Sequence, residues 1–379
     1  MKDIFVLGAR GYKANYGGWE TFVTNFVDHY NDENTNLYIA ELTKDPAKNK
    51  KMKKIREHVY LNYYYVKTDG KTQMFIFTIK SYLNTLKYIS RNNLNGAFIY
   101  VLGLKLGPLL AFFKGKRRKQ NIHVYLNPDG LEHLRSKWNK VISWCFLLSE
   151  WSMIRNSDLV ICDGLGIQKY VENKYPHAKT TYIAYGTNSF DFSKINEKSI
   201  LEEYNLKKDD YCLMVGRCVP ENNYEMVIRS FMKSNLNKKL VIVSNINGSH
   251  YYQELIEKTG CLSDERICFI AGIYDQNKLA VVRKNAYLYI HGHSVGGTNP
   301  SLVEALSLTD LNILYNVCFN ADIGLDTALY FENESELTTL LNDQNKLDQK
   351  KTALGPKAKE RIASCFTWEK IMEQYRAIF

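Results

Sequence analysis

Short apolar runs that end in glycine or a polar loop, each followed by an amphipathic stretch, recur along this chain and constrain its fold more than any other feature. In the first half, Ile4–Leu7, Leu37–Glu41, Val59–Val66, Ala97–Leu102, Ile122–Leu126 and Leu159–Cys162 have the length and apolar continuity of buried strands. Between them, Trp19–Tyr30, Thr72–Ser90 and Lys137–Asn156 have helical spacing. The pattern then begins again. Tyr211–Val215, Leu240–Ser244, Ile267–Ile270 and Ala286–His291 read as strands, and Glu225–Lys233, Tyr251–Thr259, Asn277–Lys284 and Leu302–Leu306 as helices. Strands that alternate with helices give parallel sheets covered on both faces. The polar segment Thr187–Leu206 separates the halves. The expected architecture is therefore α/β, with two doubly wound domains in tandem. Ligands of such sheets bind beyond the carboxyl ends of the strands, and the cleft between the domains is the expected place.

Three glycine-bearing loops fall at predicted strand ends. The first runs Gly8-Ala9-Arg10-Gly11 and continues to Tyr16-Gly17-Gly18-Trp19-Glu20. Glycines between a strand and a helix let a ligand approach the backbone, and the helix start favours an electron-rich group. The spacing does not match a dinucleotide fingerprint, and no P-loop lysine is present. The second loop, Val215-Gly216-Arg217-Cys218-Val219-Pro220-Glu221-Asn222-Asn223, puts a guanidinium at a strand end. An arginine placed there can clamp a diphosphate through two parallel hydrogen bonds. The third, His291-Gly292-His293-Ser294-Val295-Gly296-Gly297-Thr298-Asn299-Pro300-Ser301, leads into a helix carrying Glu304. Its backbone N–H groups suit an anion, and Glu304 is placed to accept ribose hydroxyls. His291 and His293, two residues apart with no carboxylate or cysteine at ligand spacing, do not make a metal site. No Asp-x-Asp occurs in the sequence, so the usual divalent-metal anchor for a nucleotide diphosphate is missing.

Composition narrows the partner. With 50 Lys and Arg against 40 Asp and Glu, the net charge is +10, which favours an anionic partner without choosing among nucleotides, nucleic acid and membranes. The eight cysteines form no CxxC pair and sit largely in apolar runs. They read as reduced core residues of a cytosolic protein. The apolar run at the start is too short for a signal peptide. The stretch from Ala97 to Phe113, broken by Lys105, Gly107 and Pro108, is too short to span a bilayer.

The combination of tandem domains, the Gly17-Gly18 loop, Val-Gly-Arg…Pro-Glu-Asn, and a glycine stretch running into Glu304-Ala305 resembles the retaining GT-B glycosyltransferases, family 4-like. Phe366-Thr367-Trp368-Glu369-Lys370 and the helix after it are similar to that family's closing helix, which crosses back to the first domain. Gly8-Ala9-Arg10-Gly11, Tyr16–Thr21, Asn127-Pro128-Asp129-Gly130-Leu131-Glu132 and Gly296–Ser301 together resemble a bacterial polysaccharide rhamnosyltransferase subgroup. The resemblance implies a GT-B fold of two Rossmann-like domains facing a central cleft. Residues 1–187 with 366–379 would bind the acceptor, and residues 188–365 the donor.

It further implies transfer of L-rhamnose from dTDP-rhamnose to a lipid-diphosphate-linked sugar, GlcNAc or Glc on undecaprenyl diphosphate, without a metal or cofactor. Gly17 and Gly18 would approach the donor or acceptor, and Arg217 would hold the diphosphate. Gly296, Gly297, Thr298 and Asn299 would line the donor site, and Glu304 would bind its ribose. Asp129 matches a polar position beside the reacting sugar, and with Arg217 it makes the expected catalytic pair. Two departures from the family are visible. Asn222 stands near the place of a diphosphate lysine, and Gly296 stands where the first glutamate of Glu-x7-Glu belongs.

Leu109–Phe113 followed by Lys114, Lys116, Arg117, Arg118 and Lys119 combines an apolar run with a basic cluster. Such a pair can dock on anionic lipid, and Lys44–Lys54 adds a second basic patch. The resulting expectation is a cytoplasmic protein peripheral on the inner face of the plasma membrane, with no nucleic-acid partner. Two other classes fit parts of the sequence. A nucleotide-sugar 2-epimerase would need a carboxylate–histidine set, for which Asp129, Glu132 and His133 come closest. A basic nucleic-acid or membrane-binding scaffold would explain the charge but not three glycine loops at strand ends.

Overall fold

Ile4, Phe5, Val6 and Leu7 are all 2% exposed or less, as a strand with helices on both faces requires. The computed structural model describes residues 1–14, 17–70, 72–128 and 140–379. They divide into two units, Met1–Ala184 with Trp368–Phe379, and Tyr185–Thr367.

The first unit carries β1 (Lys2–Leu7), β2 (Thr35–Thr43), β3 (Met52–Arg56), β4 (Val59–Tyr65), β5 (Phe98–Leu102), β6 (His123–Asn127), β7 (Leu159–Cys162) and β8 (Thr180–Tyr182). Their order across the sheet is β3-β4-β2-β1-β5-β6-β7-β8. Every described pairing is parallel except β3 with β4, which is antiparallel. The wholly parallel sheet expected from the pattern therefore acquires one reversed edge. That edge strand is Met52-Lys53-Lys54-Ile55-Arg56, largely exposed. It carries little apolar signal, and its lysines discourage pairing with another chain.

The last helix of the chain, Trp368–Ile378, belongs to this first unit. Trp368, Ile371, Met372 and Tyr375 are buried, and the Tyr375 ring stacks on Phe379 and meets Phe26 edge-on and Phe22 at a tilt. The Tyr375 and Tyr100 hydroxyls lie 2.9 Å apart in the core.

The second unit carries β9 (Tyr211–Val215), β10 (Lys239–Val243), β11 (Ile267–Ile270), β12 (Leu288–His291), β13 (Asn312–Tyr315) and β14 (Leu329–Phe331). All described pairings are parallel, in the order β11-β10-β9-β12-β13-β14. Cys212 on β9 pairs with Leu240 on one side and Leu288 on the other. The cysteines are free, but only Cys162, Cys212, Cys218 and Cys261 are buried. Cys145, Cys318 and Cys365 are exposed, which corrects the expectation that the cysteines are core residues.

Candidate functional site

In the second sheet the chain runs outward from β9 through β10 to β11, then returns to the other side of β9 as β12. The loops leaving β9 and β12 therefore diverge at a topological switch point, where open α/β sheets form a ligand crevice. They are the Gly216–Asn223 and Gly292–Asn299 loops singled out in the sequence.

The two loops are stitched together. Asn223 Nδ2 donates to the Gly292 carbonyl at 2.8 Å. The Ser294 backbone N–H and hydroxyl both donate to the Glu221 carbonyl, at 2.8 and 2.9 Å. His293 Nδ1 donates to Asn222 Oδ1 at 2.8 Å, and Asn222 Nδ2 donates to the Arg217 carbonyl at 2.7 Å. Both ends of the Asn222 amide are thus engaged inside the unit. Asn222, standing near the place of a diphosphate lysine, braces the two loops. Gly292 is required here, because a Cβ would lie 2.3 Å from the Asn222 carbonyl oxygen.

This bracing leaves Arg217 exposed, its guanidinium without a hydrogen-bond or ion-pair partner among the described residues. Across the switch point, Asn299 caps the helix Pro300–Leu308 by accepting from the Ser301 N–H at 2.9 Å. Among the described residues the backbone N–H groups of Gly296 and Gly297 make no hydrogen bond. A guanidinium on one loop and open backbone donors beside a helix start on the other can receive a diphosphate.

Glu304, one turn into that helix, is held by Arg283. The Arg283 Nη1 to Glu304 Oε2 distance is 2.6 Å, and Arg283 Nη2 donates to the Ser301 hydroxyl at 3.0 Å. Ser301 Oγ lies 3.0 Å from the Tyr289 hydroxyl and 3.2 Å from the Val215 carbonyl. Tyr289 stacks on His291, whose buried Nε2 has no hydrogen-bond partner among the described residues. Burial first, and then His293 and the Arg283 cation, hold His291 well below its ordinary value, so the ring is neutral. Arg283, Tyr289 and Ser301 were not among the residues expected from sequence. Arg283 and Tyr289 sit in apolar runs that read as core, and only their partners reveal what they hold.

The first sheet has its own switch point, between β1 and β5. Gly11, in the loop after β1, has φ +137°, and a Cβ there would lie 2.1 Å from Glu41 Oε2. Glu41, near the end of β2, is 8% exposed and accepts the Tyr12 backbone N–H at 2.5 Å. Burial pushes its carboxyl up to about 8. This carboxyl escaped the sequence reading because it follows an apolar run with nothing to set it apart from a solvated strand end. Gly17 precedes the helix Gly18–His29 as its N-cap. Among the described residues a Cβ on Gly18 would meet nothing within 4 Å, so none of them demands glycine there by packing. Glu20 is buried and accepts the Arg10 N–H at 3.0 Å.

Asp129 lies outside the described residues. Lys116, Arg118 and Lys119 are exposed on the helix Lys114–Lys119. Arg117 is not. It is 2% exposed, donates to the carbonyls of Leu110 and Asn156 at 3.1 and 2.8 Å, and lies 3.6 Å from Asp158. Arg117 is therefore corrected from a surface cation to an internal pin. One of five clustered cations turns inward because a six-residue helix has a buried side.

The comparisons with known proteins bear on the fold that carries these loops. A family model described as a domain of unknown function, DUF1972, matches residues 1–188. An uncharacterized glycosyltransferase of Methanocaldococcus jannaschii is 23% identical, over 97% of this chain and 96% of its own length. Sucrose-phosphate synthase from Thermosynechococcus elongatus superposes with a TM-score of 0.78 at 16% identity, covering 100% of this chain and 98% of that one. The fold is of the GT-B type. Anabaena HepE, solved in complex with UDP, has a TM-score of 0.72 at 13% identity, covering 100% of this chain and 99% of its own. In GT-B terms, the unit Met1–Ala184 with its returning helix is the N-terminal sheet, and Tyr185–Thr367 is the C-terminal one.

Proposed function

We propose that this protein is a glycosyltransferase that takes its donor, a nucleoside-diphosphate sugar, at the β9/β12 switch point. The observation that carries the reading is the pair of braced loops that leaves the Arg217 guanidinium open while Arg283 fixes Glu304. Arg217 and the N–H groups of Gly296 and Gly297 would stabilise negative charge on the departing diphosphate. One positioned donor in such a role contributes about 3–4 kcal/mol. Glu304, with one oxygen held by Arg283, would offer the other to the donor ribose. The UDP bound by HepE supports a nucleotide donor.

The donor we infer is dTDP-rhamnose, and the acceptor a lipid-diphosphate-linked GlcNAc or Glc in cell-wall or capsule polysaccharide synthesis. The transfer would be retaining and metal-independent, on the cytoplasmic face of the membrane. The loop motifs shared with the rhamnosyltransferase subgroup support this choice. So does Gly296 in place of a glutamate, which removes a polar contact a 6-deoxy sugar does not need. Asp129 would orient the acceptor, and Gly17 and Gly18 would admit it to the backbone.

The test is thermal stabilisation by dTDP, UDP, GDP, ADP and their sugars, followed by transfer to a lipid-linked acceptor. A ligand at 100 times its Kd raises stability by about 2.7 kcal/mol. Selective response to dTDP-rhamnose, lost in Arg217→Ala, supports the reading. A preference for UDP or GDP sugars overturns the donor, and silence toward every nucleotide overturns the glycosyltransferase.

A further inference from the structure

The helix Lys140–Asn156 presents an apolar stripe to solvent. Val141 is 70% exposed, Trp144 59%, Leu148 45% and Trp151 51%. Their spacing of three, four and three residues puts them on one face. The opposite face is committed to the first unit. Phe146, Met153 and Ile154 are buried there, and the hydroxyls of Ser149 and Ser152 donate to the carbonyls of Leu104 and Gly107 at 2.8 and 3.2 Å. The helix is thus fixed, and its outer face holds two half-exposed tryptophans in water. A second large apolar group, Phe112, is 80% exposed on the short helix Leu109–Phe112, which packs against this one.

Cations lie on this helix and on the short helix tied to its last turn. Lys116, Arg118 and Lys119 are exposed, and among the described residues none has an ion pair. Arg117 ties their helix to the last turn of the tryptophan helix through the Asn156 carbonyl. Arg155 lies on the stripe itself, its guanidinium 5.3 Å from the Trp151 ring. Tryptophan flanked by Lys and Arg is suited to the boundary between lipid headgroups and acyl chains. A second copy of the chain would set like charges against each other at a symmetric contact, whereas an anionic bilayer answers both the charge and the apolar stripe. Among the described residues no helix is long and apolar enough to cross a membrane.

We propose that this face, centred on Trp144 and Trp151, docks the protein flat on an anionic lipid bilayer. It rests on the proposed function only in giving a lipid-linked acceptor a surface at which to be met. The experiment is flotation of the full chain with vesicles of mixed phosphatidylglycerol and phosphatidylcholine, and with phosphatidylcholine alone. Brominated acyl chains added to the mixed vesicles report tryptophan insertion by fluorescence quenching. The full chain is expected to float with the anionic vesicles and be quenched. Trp144→Ser with Trp151→Ser should lower the partition coefficient roughly tenfold or more, and each of Lys116→Glu, Arg118→Glu and Lys119→Glu at least about fivefold. The tryptophan variant should keep its melting temperature and its response to nucleotides. Absence of flotation, partition unchanged by the tryptophan substitutions, or a lipid-independent dimer that those substitutions dissociate would each overturn the docking face. Loss of every nucleotide response with flotation intact would instead overturn the glycosyltransferase reading and leave this surface standing.

Discussion

Arg283 and Glu304 meet at 2.6 Å with side-chain exposures of 3% and 18%, so the glutamate at the proposed ribose position also neutralises a buried cation. Removing one partner of such a pair leaves the other charge uncompensated, at a cost of about 3–5 kcal/mol. Glu304→Gln is expected to lose stability of that order in urea titration and to weaken nucleotide binding together. Arg283→Met combined with Glu304→Leu should recover much of the stability and none of the binding, which separates the two roles.

Arg217 is the reverse case. Its guanidinium is exposed and has no hydrogen-bond or ion-pair partner among the described residues, so Arg217→Ala is expected to change stability by under about 0.5 kcal/mol. Donor diphosphate affinity, measured by calorimetry, should fall by about 1.5–3 kcal/mol, the worth of a hydrogen bond to a charged group. A melting temperature that drops with affinity unchanged would place Arg217 outside the site.

Glu41 gives a pH signature. Its carboxyl is raised from 4.5 to about 8 by burial, so the folded state keeps a proton that the unfolded chain releases. The stability it contributes is complete below about pH 4.5 and falls as pH rises toward 8, by an amount on the order of a few kcal/mol. Glu41→Gln keeps an acceptor for the Tyr12 N–H and has no proton to lose. Its denaturation midpoint should be flatter across that window and higher than that of the parent at pH 8. A parallel pair of pH curves would show that Glu41 ionises as it does in water.

Arg117 and Arg118 are neighbours with opposite fates. Arg117→Ala is expected to cost about 3 kcal/mol, because two backbone carbonyls and Asp158 lose a buried donor. Arg118→Ala should cost under about 0.5 kcal/mol. Chemical denaturation of the two variants side by side checks this.

Most of the buried strands were legible, although Asn312–Tyr315, buried at three of its four residues, was not. Ile267–Ile270, Tyr211–Val215 and Leu159–Cys162 have the same limits in sequence and structure, since continuous apolar runs ending in polar residues leave little freedom. The edge strand Met52–Arg56 and the short strands Thr180–Tyr182 and Leu329–Phe331 were not legible, because they bury too little to write a pattern. At the site, the loops were visible through their glycines and Arg217. What joins them was not. The Asn222–His293 and Ser294–Glu221 hydrogen bonds link residues that are distant in sequence, and hydrophobic patterning carries no record of such pairs. The inward turn of Arg117 was hidden for a related reason, as four like-charged neighbours mask the one that a short helix must bury.

The helix Trp368–Ile378 completes a unit whose other residues end at Ala184. On the ribosome, Phe22, Phe26 and Tyr100 are made early, while the Tyr375 that packs on them emerges only after the whole second unit. The first sheet must therefore wait, with an aromatic face still wet, through synthesis of the entire second unit. A fragment cut at residue 188, the span of the DUF1972 match, would keep that face uncovered for good. Supplying Trp368–Phe379 as a separate peptide is the natural way to ask whether the nascent domain is held back by this one missing helix.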